Sequence, residues 1–233
     1  MFEPNGLKNF PLPMKTLFSI LALSLLPCFA LAQAGPAWQL QAVYTAPETG
    51  ENGTLEFGVK ENLLVMEVRS SFSSEAHNGQ ANYTAYVEAG ANQLIFVPEA
   101  DAVGYTVPAG SISPRYNMNL SATGKAKRIQ GLRCVEYRGV GSNAQMSVWV
   151  AEEIPFRWNA FPVFARNDYA ALYHSNIQGF PLEINISSAE GELLRKIQVN
   201  RLQKVAPQLV EGPGNLELRP VSEAASVTAE PQD

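Results

Sequence analysis

From Trp38 onward, apolar and polar residues alternate with period two in short runs broken by turn residues, the pattern of half-buried β-strands. Leu40, Ala42 and Tyr44 share one face of "LQAVY", and Leu55, Phe57 and Val59 share one face of "LEFGV". After the turn Lys60-Glu61-Asn62, Leu64, Met66 and Val68 do the same, so a hairpin is expected. "NYTAYVEA" and "QLIFV" repeat the pattern around Gly90, and Val103, Tyr105 and Val107 add a sixth strand before Pro108. Residues 109–126, rich in Ser, Gly, Pro and Asn, read as a loop. Strands resume with "LRCVEY" and with "MSVWV", where Met146, Val148 and Val150 share a face opposite Trp149; "PLEINIS" and "IQVNRL" then make a last hairpin.

The stretch Ile154 to Ile186 breaks this rhythm with seven large rings: Phe156, Trp158, Phe161, Phe164, Tyr169, Tyr173 and Phe180. Asn167 or Asp168 can cap a short helix whose Tyr169, Leu172, Tyr173 and Ile177 fall on one face, and Gly179 can end it. About ten alternating strands bury one sheet face only, and that face needs a cover. The expected architecture is therefore mainly β: a strongly curved antiparallel half-barrel sheet under a short helical and aromatic lid. The rings can simply complete the core. Alternatively Trp158, Phe161 and Phe164, interleaved with Arg157, Asn159, Pro162 and Arg166, can form a lip around an apolar cleft.

The N-terminus sets the compartment. Residues 14–34, "MKTLFSILALSLLPCFALAQA", carry a lysine, an apolar run from Leu17 to Leu26 and A-x-A steps, as a cleaved secretory signal does, with cleavage near Ala32 or Ala34. The run falls short of the roughly 20 residues a membrane span needs, so no transmembrane segment is expected in the mature chain. Residues 1–34 are thus N-terminal extension and signal, 35–210 a single β-rich domain, and 211–233, rich in Pro, Glu, Ala and Ser, a flexible tail. Pro27 before Cys28 argues against lipid attachment, and the exported chain then keeps only Cys134, which excludes an internal disulfide. Cleavage leaves 15 basic against 21 acidic residues, a balance that argues against nucleic acid and anionic membrane surfaces.

The second half carries a recognisable series: Ile129, Gly131, Cys134 and Tyr137, then Trp149-Val150, then Glu153-Ile154-Pro155, then Gly179-Phe180-Pro181-Leu182. It resembles a group of uncharacterised exported bacterial proteins with "I-x-G-x-x-C-x-x-Y", a strand ending in "W-V/Y", an acidic-Ile-Pro step and "G-[FL]-P-L". It is similar also to the GLPGLI family, whose motif corresponds to "GFPLEI" at Gly179 to Ile184, and more distantly to the LolA/LolB lipoprotein-carrier superfamily. The resemblance implies a half-barrel that, in carrier members, holds acyl chains on its concave face.

Chemistry is sparse. His77 lies in a polar loop and His174 has Asp168 six residues back, off its helix face, so both read as surface or capping histidines rather than catalytic bases. Three aspartates and one exported cysteine offer no metal cluster, Glu152 and Glu153 diverge at a strand end, and "GVGS" at Gly139 to Ser142 lacks a phosphate loop's lysine and helix. Of four N-x-S/T sequons, at Asn52, Asn82, Asn119 and Asn185, the last falls inside a predicted strand. No cofactor is expected. The expectation is a non-enzymatic periplasmic or secreted carrier for a hydrophobic ligand, a lipid or an acylated protein, held by the seven rings; the alternative is a filled-core structural or interaction domain that docks an envelope protein. Burying about ten methylenes at ~0.8 kcal/mol each would suffice for carriage.

Overall fold

The computed structural model describes residues 35–70, 82–99, 103–109, 116, 118–166 and 169–221. The expected signal segment, Cys28, His77 and the two expected helix caps, Asn167 and Asp168, lie outside the described residues.

Twelve strands form one open sheet: β1 (Ala37–Ala46), β2 (Glu51–Lys60), β3 (Leu63–Ser70), β4 (Asn82–Glu88), β5 (Gln93–Pro98), β6 (Val103–Pro108), β7 (Ser121–Ile129), β8 (Leu132–Val140), β9 (Ala144–Ala151), β10 (Phe180–Ser188), β11 (Leu193–Val205) and β12 (Glu217–Pro220). The order is β12-β6-β5-β4-β3-β2-β1-β11-β10-β9-β8-β7. Two antiparallel meanders, β1 to β6 and β7 to β11, thus meet where β1 pairs with β11. Register follows the sequence pattern: Leu40 faces Phe57, Phe57 faces Met66, and Val148 faces Ile184, all on the core side.

Two strands escape that pattern. β7 begins within the expected loop and runs three residues past it; its residues are mostly exposed, so an edge strand without a buried face shows no apolar alternation. The β7–β8 turn has positive φ at both Gln130 and Gly131, as a two-residue primed turn requires. β12 lies in the expected tail and pairs parallel with β6, the one non-antiparallel contact among the described strands. Residues beyond Val221 lie outside the described residues.

To reach β12 from β11, residues 206–216 cross the outer face of the first meander. Val210 is buried over Gly58 beside Ala37 and Leu63, forming a small second core on that face. Leu218 then lies over Gly104.

The main core fills the opposite face. It is completed by the segment between β9 and β10, which contains two 3-10 turns (Trp158–Ala160 and Pro162–Arg166) and helix α1 (Ala170–His174). The expected helix is thus shorter than its periodicity suggests: it ends at Ser175, and Ile177 is buried beyond it. The Ala160 carbonyl accepts from Gly90 N–H at the β4–β5 turn (2.7 Å), while Ser175 Oγ accepts from Leu120 N–H just before β7 (2.7 Å). In a flat sheet β4 and β7 would stand about 38 Å apart, at ~4.8 Å per strand. One compact segment reaches both, so the sheet is strongly curved around it.

Candidate functional site

The aromatic segment closes on itself before it covers the sheet. Arg157 and Gln178 form an isolated antiparallel bridge, Gly179 N–H donates to the Phe156 carbonyl (2.8 Å), and the Trp158 indole N–H donates to the Gly179 carbonyl (3.1 Å). Gly179 has φ +102°, and a Cβ there would lie 2.5 Å from the Ala151 carbonyl oxygen, so glycine is required at the lead into β10.

Within this closed loop the rings stack on one another. Phe156 stacks on Phe161 at 4.6 Å and meets Trp158 edge-on at 4.9 Å; Trp158 in turn contacts Phe164, Tyr169 and Phe180. Phe180 reaches the sheet by packing edge-on against Phe57 at 5.3 Å. Phe156, Trp158, Phe161, Phe164 and Phe180 are each 0–3% exposed. Tyr169 is half-buried and its hydroxyl meets Met66 Sδ; Tyr173 packs partly buried against the core, edge-on to His174. Five of the seven rings expected to hold a ligand, Phe156, Trp158, Phe161, Phe164 and Phe180, thus pack on one another in the core, as in the reading in which the rings complete it.

Open space lies on the other face. A groove of about 400 Å³ runs across β11, β1, β2 and β3, walled by Leu209 to Glu211 of the crossing segment. Its floor is amide-rich: Gln203 Nε2 donates to Gln39 Oε1 (2.9 Å), and Gln41 Nε2 to Glu56 Oε1 (3.4 Å). No alternation-based argument finds such a groove, since it depends on where the chain returns after β11.

The outer face of the second meander is built differently. Glu136 on β8 is 1% exposed. Its carboxylate accepts from Arg138 Nε (2.7 Å), Thr123 Oγ1 (2.9 Å) and Ser147 Oγ (3.1 Å). Burial alone would raise its pKa, but these three donors outweigh it and hold the carboxyl below the ordinary value of 4.5. Across Trp149, directly opposite in register, Glu183 accepts from Lys127 Nζ (2.8 Å) and Asn185 Nδ2 (2.9 Å), and is likewise held ionised against its burial. Lys127 also sits 4.2 Å above the Trp149 ring. The β7–β8 hairpin carries Lys125, Lys127, Arg128, Arg133 and Arg138 against Glu136 alone, a net +4 on a chain of net −5. The acidic average of the chain thus conceals a basic hairpin.

His174 is exposed and its Nε2 lies 3.0 Å from the Ala165 carbonyl, a tie across the segment. Cys134 is an unpaired, fully buried thiol whose pKa burial pushes up. Asn185 lies within β10, as its sequon's position suggested. Among the described residues no three metal-ligating side chains cluster, and no helix is long and apolar enough to cross a membrane.

No family model and no curated protein matches the chain. Among solved structures, an uncharacterized conserved protein from Thermus thermophilus is similar over 86% of this chain and 99% of its own, at 12% identity and a TM-score of 0.47. A chain of the Pseudomonas aeruginosa MucA/MucB complex is similar over 82% of this chain at 14% identity and a TM-score of 0.36; this chain spans 60% of it. A putative outer membrane lipoprotein-sorting protein domain from Vibrio parahaemolyticus is similar over 73% of this chain and 85% of its own, at 8% identity and a TM-score of 0.30.

Proposed function

We propose that this chain is an exported, non-enzymatic interaction module of the bacterial envelope, which binds its partner on the outside of a filled half-barrel. The leader-like residues 14–34 support export. One observation carries the rest: Phe156, Trp158, Phe161, Phe164 and Phe180 occupy the concave face at 0–3% exposure, where a hydrophobic cargo would have to sit. Admitting an acyl chain there would mean expelling these rings into water, at roughly 1.5–3 kcal/mol for each large side chain. A ligand of about ten methylenes returns only about 8 kcal/mol before the cost of ordering it, against about 7.5–15 kcal/mol for the five rings, so the exchange at best breaks even. The binding surfaces that remain are the amide-lined groove and the basic hairpin.

The test is to purify the mature chain from a bacterial periplasm without detergent, extract it with organic solvent, and measure both co-purified lipid by mass spectrometry and uptake of a hydrophobic dye. The expected result is an empty protein that leaves the dye dark. Lipid recovered at one molecule per chain would overturn the reading and restore a carrier whose rings swing out to admit cargo.

A further inference from the structure

Resting on that reading, we infer that the open edge of β7 is the docking site, and that its occupant is an acidic, extended polypeptide segment that adds as a further strand. Among the described residues no strand pairs with the outer edge of β7, whereas the opposite edge of the sheet ends in β12, four residues closed by Pro220. Alternation around the two-residue turn places the main-chain groups of Ala126 and Arg128 toward the open side, offering N–H and carbonyl partners to an incoming strand.

The charges select that strand. Arg128 and Arg133 stand directly opposite each other in register, both exposed, and a like-charge pair across two strands is unfavourable in the isolated domain. Arg133 pairs with the exposed Glu152 at 3.7 Å. An added strand would set a third position beside this pair, and glutamate or aspartate there relieves the repulsion. Edge lysines and the bulge between Ala122 and Ala126 also block two copies from pairing edge to edge, since like charges would face each other. The same cations that reject a second copy therefore accept an acidic partner.

The test is fluorescence anisotropy of the mature chain with a labelled peptide alternating glutamate and valine. A lysine-for-glutamate version, a version with proline at alternate positions, and vesicles of phosphatidylglycerol serve as comparisons. The glutamate peptide is expected to bind. Proline substitution removes main-chain donors and should weaken binding at least about ten-fold, as should the exposed pair Arg128→Glu with Arg133→Glu. Equal binding of the proline peptide would reduce the site to a charge patch, and no binding of the glutamate peptide, or binding only to vesicles, would overturn it. None of these outcomes bears on the filled core, whose own test is the lipid and dye measurement.

Discussion

The Trp158 indole N–H donates to the Gly179 carbonyl across 3.1 Å, joining the first turn of the aromatic segment to the residue that leads into β10. Because Trp158 is 2% exposed, this bond stands in a dry environment and fixes the segment as a closed unit. Trp158→Phe leaves the Gly179 carbonyl without its donor and should cost about 1–3 kcal/mol; Trp158→Ala, which also opens a cavity, about 3–5 kcal/mol. Urea unfolding of both variants checks the order. Polar replacements at Trp158 or Phe161 should therefore unfold the protein rather than merely release a ligand.

Gly179→Ala is expected to be as damaging, at about 3 kcal/mol or more, since φ +102° and a 2.5 Å approach to the Ala151 carbonyl both oppose a side chain. Thermal unfolding at neutral pH measures it. A variant as stable as the parent would mean that β9 and the β10 lead-in part without penalty.

Glu136 gives an acid limb. Its folded pKa lies below the ordinary value, so the stability it contributes is present above about pH 4.5 and is lost as pH falls through the lower, folded value. Urea midpoints taken from pH 7 down to pH 3 should fall, and the drop should be smaller in Glu136→Gln, which never ionises. At neutral pH that variant should be weaker by about 1–3 kcal/mol, having lost charged acceptors for Arg138, Thr123 and Ser147.

Gly58 and Val210 should be coupled. A Cβ on Gly58 would stand 2.9 Å from Val210 Cγ1, so Gly58→Ala pushes the crossing segment off the sheet, and Val210→Ala makes room for it. The double variant should be more stable than the sum of the singles predicts, with a coupling of about 0.5–3 kcal/mol in denaturant unfolding. Strict additivity would detach the crossing segment from the outer face.

Cys134 should resist a thiol reagent in native buffer and react at once in denaturant, because burial both blocks access and raises its pKa. Rapid native labelling would place the β8 core in exchange with solvent.

The strands legible in the sequence are those with one wet and one dry face. Leu40, Phe57, Met66, Val148 and Ile184 announce their side by alternation and all face the core. β7 stayed hidden because neither of its faces is dry, and β12 because four exposed residues carry no period. Composition showed that seven rings must cover something, but not that they would also fill it: whether rings meet each other or line a cleft depends on the Arg157–Gln178 bridge and the Gly179 turn, contacts between residues about twenty apart. Glu136 was invisible for a related reason. Its donors come from β7 and β9 as well as its own strand, and a charged residue on a nominally wet strand face reads as solvated until those neighbours are placed.

The pairing of β1 with β11 also sets a clock. Ala37 meets Val205 and Trp38 meets Lys204, so the first strand to be made waits for nearly the last before its second edge is satisfied. Joining ends so distant along the chain costs loop-closure entropy before any contact repays it, and topologies dominated by such pairings fold slowly. Until β11 arrives, the first meander has an open edge and no cover for its apolar face, because the aromatic segment comes later in the chain as well.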